Sequence, residues 1–295
     1  MSVIYDKILT HRCVSNEECI TLLEEYGIIK PVHVCICGVV MKKIHHKGKC
    51  DGYILRCQFC NKTSSICKRS VLEGSKLSIC QILAVVVHFC EEECVNELAQ
   101  KIGISRPSIC RWYAILRKIC GKALEANFKR LGGIGHTVQI DETVIARRKY
   151  NVGRNVQQQW LFGAIDMING SFILRNIDNR SRKELQSVII DTIYEDTHVI
   201  SDCWSSYMAI FSNRNDYTHS HVNHSRNFVN PETGANTQLI ENLWSRLKST
   251  LRRKFQRSRG HLQEYLDEFC FRAKVKKDGR LVLFTSLLKG LADYV

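Results

Sequence analysis

Three acids between positions 141 and 241 carry the spacing of a metal site. Asp141 lies in the alternating run "TVQIDETVI", Asp202 closes the apolar run of "VISDCWSSY", and Glu241 opens the periodic stretch "TQLIENLWSRLKSTLRRKF". Carboxylate oxygens are hard ligands suited to Mg²⁺ or Mn²⁺. Three of them, brought in from separate elements, can hold two such ions about 3.5–4 Å apart, the arrangement for in-line phosphodiester chemistry. One ion then activates a water or 3′-hydroxyl and the other stabilises the leaving oxygen. Each acid alone has an ordinary reading, as a strand-end acid, a helix cap or a solvated helix residue. Only their joint placement favours a metal. Glu142, Asp166 and Glu232 compete for the role. Glu142 points to the opposite strand face, Asp166 ends the next strand, and Glu232 sits in a loop.

A second constellation lies nearer the start. Residues 33–70 hold eight Lys/Arg against one acid, Asp51, together with the paired cysteines of "CICG" (Cys35, Cys37) and "CQFC" (Cys57, Cys60). Four thiolates suit tetrahedral Zn²⁺, and the separation of the pairs is that of a zinc ribbon. The first pair is one residue shorter than the usual C-x-x-C, and His33 is an alternative to Cys35. So small a unit needs the metal to hold together. Buried free cysteines are the competing reading.

These groups need elements to position them. "TVQIDETVI", "QQWLFGAID" and "SFILRNI" read as strands, the last two joined by "MING", whose Asn-Gly is a hairpin signal. "SRKELQSVIIDTI" opens with a capping box, Ser181 to Glu184, and carries Leu185, Val188, Ile189 and Thr192 on one helical face. "THVISD" is a fourth strand and "YTHSHVNHS" a fifth; a long helix follows. Three strands, a helix, a strand, a short helix, a strand and a helix are the element order of an RNase H-like α/β fold. A crossover places the fourth strand beside the first, and so Asp202 beside Asp141. On the last helix Ile240, Leu243, Trp244, Leu247 and Leu251 form the core stripe, while Glu241, Ser245, Lys248 and Arg252 lie along one flank.

Ahead of this core, "CVNELAQKIGISRPSICRWYAILRKI" has the rhythm of a helix-turn-helix. Val95, Leu98 and Ala99 mark its first helix and Gly103 the turn. Ser105 caps the second helix, whose buried stripe is Ile109, Trp112, Tyr113 and Leu116. Arg106, Ser108 and Arg111 fall near its N-terminus, where a recognition helix meets bases. The same geometry also occurs in plain helical bundles. The expected organisation is an N-terminal helical segment over 1–30, a zinc ribbon over 31–75 and a helix-turn-helix over 76–130. An RNase H-like catalytic domain follows over 131–260, then a helical extension over 261–295.

Charge agrees with a polyanionic partner. Lys and Arg outnumber Asp and Glu by 43 to 29, and nucleic acid is the commonest partner of such a surplus. The run from Arg246 to Arg259 holds seven basic residues and no acid, with Arg252, Arg253 and Lys254 together. It is expected to track phosphates, and it equally suits a nuclear import signal. No segment has the layout of a signal peptide, and "ICQILAVVVHFC" is too short to span a bilayer, so a soluble protein is expected. Fifteen cysteines then point to a reducing compartment, with most as free thiols.

"QIDET", "VISDCWSSY", "HVNHSRNFVNPETGANTQLIENLWSRLK" and "LQEYLDEFCFR" resemble the core of Merlin-type DDE transposases and their bacterial insertion-sequence relatives. The resemblance extends over the ribbon and the helix-turn-helix, roughly residues 30 to 275. It implies a catalytic triad at Asp141, Asp202 and Glu241 that cleaves DNA at element ends and joins the 3′-hydroxyls to a target. His224, Asn236, Trp244 and Lys248 fall in the same motif block and would position DNA or support the triad. The resemblance also implies a homodimer, located in the nucleus of a eukaryotic host or otherwise in the cytoplasm. Two other readings stay open: a domesticated transposase that binds DNA without cutting, and a nuclease of the same fold with other substrates.

Overall fold

The computed structural model describes residues 1–10, 12, 14–146, 159–222, 236–254, 261–275 and 279–294. The chain forms two compact units, Met1–Glu125 with Phe271–Val295, and Ala126–Cys270.

The first unit is built around a helix that is apolar nearly all round, α3 (Ile79–Cys90), with nine of its residues buried. Such a helix must be covered on every side. Ser78 and Gln81 close a reciprocal capping box at its start, and Asp51 adds to it, its Oδ1 accepting the Ile79 N–H at 2.7 Å. Around it lie α1 (Ser2–Leu9), α2 (Asn16–Glu25), α4 (Val95–Ile102), α5 (Arg106–Ala126) and α10 (Arg280–Ala292). The helix expected in the first thirty residues is α2, capped by Ser15 and burying Ile20, Leu22 and Leu23. From the C-terminal segment, Leu283, Phe284, Leu287 and Leu288 enter this same core. Gly290 lets α10 approach closely, since a Cβ there would stand 2.1 Å from Ile119 Cγ2. A three-stranded antiparallel sheet, β1 (Met41–His45), β2 (Tyr53–Cys57) and β3 (Thr63–Ser64), completes the unit.

Between α4 and α5 the chain turns on Gly103 in the left-handed conformation, φ 66°. Ile109, Trp112, Tyr113 and Leu116 are buried as the periodicity requires. Ser105 stands at the cap position, yet its hydroxyl pairs with that of Ser108 at 2.9 Å and its carbonyl accepts the first backbone bonds.

The second unit holds a five-stranded sheet: β5 (Thr137–Ala146), β6 (Gln159–Asp166), β7 (Phe172–Ile177), β9 (Thr197–Asp202) and β10 (Tyr217–Val222). Its order is β10-β9-β5-β6-β7. The first three strands form an antiparallel meander, while β5–β9 and β9–β10 are parallel. This is the RNase H-like arrangement, with the crossover through α6 (Arg182–Thr192). Helices cover both faces: α6 and α7 (Ser205–Phe211) on one, α8 (Gln238–Lys254) and α9 (Leu262–Val275) on the other. β6 shows the alternation, Phe162 and Ala164 packing on the first side and Leu161 and Ile165 on the second.

A parallel pair that the sequence reading does not anticipate, β4 (Leu131–Gly132) with β8 (Ile193–Tyr194), lies beside the sheet. At α6 only half of the expected capping box forms. Ser181 Oγ accepts the Glu184 N–H, but the Ser181 N–H goes to Asn179 Oδ1 at 2.8 Å. No helix among the described residues is long and apolar enough to cross a membrane.

Candidate active site and cysteine centre

The last paired residues of β5 and β9 are Gln139 and Ile200. Two residues further, on the same side of the pleat, stand Asp141 and Asp202, at one level of strands about 4.8 Å apart. Both belong to the face that α8 covers. The helix is docked there by buried Gln139, whose Oε1 accepts the Ile240 N–H at 3.1 Å and whose Nε2 donates to Asn236 Oδ1 at 3.2 Å. A strand side chain thus satisfies a first-turn donor that a helix cannot satisfy itself.

One turn into α8, Trp244 Nε1 donates to Asp141 Oδ2 at 2.8 Å. Room for its ring comes from Gly163, the residue directly opposite Asp141 on β6. A Cβ at Gly163 would lie 2.5 Å from Trp244 Cη2. Asp141 is pushed up to about 7, first by burial and then by the charge of Glu142; the Trp244 N–H opposes this and Asp202 adds to it.

Each of the other acids is also held through one oxygen. Asp202 Oδ1 accepts the N–H of Trp204 at 3.0 Å, a turn that leads into α7 without capping it, since the helix has no side-chain cap. Glu241, exposed in the first turn of α8, accepts the Thr237 hydroxyl at 3.0 Å. Asp202 is near enough for its charge to raise the Asp141 pKa, and among the described residues the three carboxylates do not close into a cage. Among the described residues, only four cysteines form a group of three or more ligands with all donor atoms within 4.8 Å.

Two of the competing acids, Asp166 and Glu142, are committed elsewhere. Asp166 shapes the hairpin, accepting the Ile168 N–H at 2.9 Å, and pairs with His136 Nδ1 at 2.7 Å. Glu142, on the far face, takes two bonds from Arg180, at 3.0 and 2.8 Å, and one from the Tyr207 hydroxyl. Burial raises the Glu142 pKa, and the Tyr207 and Arg180 contacts oppose it. The Arg180 guanidinium also lies over the rings of Trp204, 4.2 Å away, and Trp160, 5.1 Å away. One side chain therefore touches the residue after Asp141 and the residue whose amide holds Asp202. Glu232 and His224 lie outside the described residues. His219 stacks on Phe211 and bonds Ser201 Oγ at 2.9 Å, a structural role on β10.

Of the basic residues expected to meet DNA, Arg106 and Arg111 are exposed on α5, with Ser108 half-buried beside them. On α8, Arg252 and Arg253 are exposed and Lys248 is half-buried. Lys254 departs from the expectation of an outward row, its Nζ lying 2.7 Å from Oε1 of buried Glu268 on α9.

Arg180, Trp204, Tyr207, Gly163 and Gln139 do not emerge from sequence reasoning. Gly163 had a usable signal, since a glycine inside a strand often marks a close approach. Gln139, a buried amide two residues before Asp141, shares its face by strand alternation. Arg180 and Tyr207 carry no local signal.

In the first unit the ribbon cysteines meet. Cys35 Sγ lies 3.4 Å from Cys60 Sγ, and Cys37 Sγ 3.5 Å from Cys57 Sγ. Sulfurs bound at about 2.3 Å to one tetrahedral Zn²⁺ stand about 3.8 Å apart, so the cluster fits zinc after a small opening. The Cys60 N–H, and against burial that of Phe59, draw the Cys57 thiol down to about 6. The thiolate is the metal-binding form. His33 is outside the group, its Nε2 buried without a hydrogen-bond partner, so the geometry selects Cys35.

Two acids on neighbouring strands, a helix docked beside them and a basic chain around them invite comparison with enzymes that cut and join DNA. Residues 130–274 match the ISXO2-like transposase domain. This match supports a DDE transposase of the insertion-sequence type. Solved structures similar to the chain include the Mos1 mariner paired end complex with Mn, at 14% identity, covering 72% of this chain and 75% of that one, TM-score 0.33. The catalytic core of BIV integrase is 16% identical over 49% of this chain and 86% of its own, TM-score 0.32. The HTLV-2 integrase core in complex with magnesium, a dimeric form, is 14% identical over 41% and 73%, TM-score 0.28. No curated protein matches the chain.

Proposed function

We propose that this chain is a Merlin-type DDE transposase, an enzyme that cleaves phosphodiester bonds at the ends of its element and joins the 3′-hydroxyls to target DNA. The observation that carries the reading is the level placement of Asp141 and Asp202 on adjacent strands beside α8, inside the region that matches the transposase domain.

Asp141, Asp202 and Glu241 would hold Mg²⁺ or Mn²⁺. When bound, the metal supplies a stronger oxygen nucleophile and stabilises charge on the leaving oxygen. The chain's own residues prepare that site. Trp244 fixes one Asp141 oxygen, Trp204 one Asp202 oxygen and Thr237 one Glu241 oxygen. A cation entering among these acids supplies the opposite charge that burial, and then the charge of Glu142, otherwise lead Asp141 to take from a proton.

DNA contact is shared. The α4–turn–α5 segment acts as a helix-turn-helix reader of the element end through Arg106, Ser108 and Arg111. Lys248, Arg252 and Arg253 contact phosphates from α8, while Lys254 serves the Glu268 ion pair. Zinc holds the ribbon, and a homodimer brings two ends together.

The test is incubation of zinc-loaded protein with DNA from either side of its own gene, in Mg²⁺ or Mn²⁺. Discrete nicks at fixed positions, absent with Asp202→Ala, are the expected result. Equal binding by both proteins with cleavage by neither would make the chain a DNA-binding protein only.

A further inference from the structure

The cysteine ribbon presents an outer surface that combines two unfavourable features. The first is apolar exposure at both knuckles: Ile36 is 81% exposed and Phe59 78%, with Val34 and Val40 at 63% and 55% beside them. Val34 and Val40 bridge each other, so they belong to the first knuckle. Ile36 and Phe59 flank cysteines of one cluster, which sets the two tips side by side.

The second is like charge. Lys42 and Arg56 are directly opposite across β1 and β2, and both are exposed. Like charges in that position destabilise a sheet. They lie at the knuckle end, because Arg56 precedes Cys57 and the next register pair is Met41 with Cys57. The opposite sheet face, with Leu55, Met41 and Tyr53, packs into the unit's core, so the Lys42–Arg56 face points outward. Asp51 is engaged at the start of α3, and among the described residues Lys43 alone of the ribbon's basic side chains has an ion pair, with Glu24 at 3.4 Å.

Cationic side chains around an apolar wedge are the complement of a nucleic-acid groove, in which phosphates flank stacked bases. We propose that the ribbon's outer face binds duplex DNA, with Lys42 and Arg56 on the backbone and the Ile36 and Phe59 tips inserted against base edges or between base steps. The proposal rests on the transposase reading and adds to it the residues by which the ribbon holds DNA. A protein surface without acids would satisfy the apolar tips but leave the Lys42–Arg56 repulsion in place, and so fits less of what is observed.

The experiment measures the affinity of full-length, zinc-loaded protein by fluorescence anisotropy across a salt series. The probes are duplexes from either side of the gene and an unrelated duplex of equal length. Zinc content and circular dichroism accompany each variant. Lys42→Ala with Arg56→Ala is expected to weaken binding to every duplex and to reduce the salt slope by about two, one for each phosphate no longer neutralised. Ile36→Ser with Phe59→Ser is expected to cost about tenfold or more with the salt slope unchanged, as removal of stacking does. Phe59→Trp, which keeps a stacking ring, is expected to retain wild-type affinity.

Tip variants that keep zinc and bind all duplexes as tightly as wild type would overturn the proposal. If such protein still nicks flanking DNA, the transposase reading survives that result. Tip variants with unchanged DNA affinity but abolished self-association by sedimentation would make the patch a protein interface, which also overturns it. A wild type that binds no duplex at all would sink both readings.

Discussion

The cysteine centre and the carboxylate centre are assembled in opposite ways. In the ribbon all four sulfurs lie within 4.8 Å of one another, and local backbone amides favour the thiolate. The ligands come in two short hairpin-like pairs, so the chain path alone brings each pair together. The acids instead come from β5, β9 and α8, each restrained through one oxygen by a neighbour, and they do not close around a point. A closed soft site suits a metal that holds a fold; an open hard site suits metals that admit substrate. On the transposase proposal, the difference is one between a staple and a work surface.

That contrast can be broken in order of effect. Zinc removal comes first. A zinc-selective chelator should unfold the ribbon, since structural zinc in small fingers contributes about 10–16 kcal/mol. Limited proteolysis should then cut between residues 33 and 70 and leave the strands of the five-stranded sheet resistant. A ribbon that stays protected without zinc would show the cysteines to be ordinary buried thiols.

Next is the network behind the acids. Arg180→Met leaves Glu142 buried beside Tyr207 without its cation. The expected loss is roughly 3 kcal/mol, at the low end for buried pairs because Arg180 is partly exposed. Thermal melting should show it, and a double change with Glu142→Gln should recover most of it. An unchanged melt for Arg180→Met would mean that the cation does not stabilise the buried acid.

A smaller effect is expected at the contact that aims Asp141. Trp244→Phe keeps a six-membered ring but deletes the pyrrole ring with its N–H, and should lower nicking by about 10–100-fold at a stability loss of about 1 kcal/mol for the volume removed. Gly163→Ala places a methyl where the ring sits and should lower both, the stability by about 1–3 kcal/mol. Full activity in both would show that the 2.8 Å bond to Asp141 Oδ2 does not orient it.

What could be read from the sequence follows from the range of each interaction. Asp141 and Asp202 were legible because strand alternation and the crossover rule set their level and neighbourhood. The apolar stripes of α5 and α8 were legible for the same periodic reason. Cys35 against His33 was not, because the choice depends on how the 33–41 hairpin closes. Lys254 was misplaced because it was read with the basic run from Arg246 to Arg259, although helix phase sets it in line with Leu247 and Leu251, where α9 brings Glu268 against it. Arg180 touches Glu142, 38 positions earlier, and no local pattern announces such a partner.

The pH response belongs to the carboxylate half of the comparison. Asp141 binds its proton more tightly in the folded metal-free protein, with a value near 7 against an ordinary 3.8. Its contribution to stability is therefore complete below about pH 4 and is lost as the pH rises through about 7. A divalent cation must displace that proton, so its affinity should climb by up to about tenfold per pH unit between about 5 and 7 and then level.

The most direct measurement is Mn²⁺ binding to zinc-loaded protein, followed by electron paramagnetic resonance from about pH 5 to 8, with Asp141→Asn and Asp202→Asn alongside. Binding that strengthens to about pH 7 in the wild type and is lost in both variants, with zinc content unchanged, is the predicted result. Mn²⁺ binding that is indifferent to pH and equal in all three proteins would contradict the carboxylate centre.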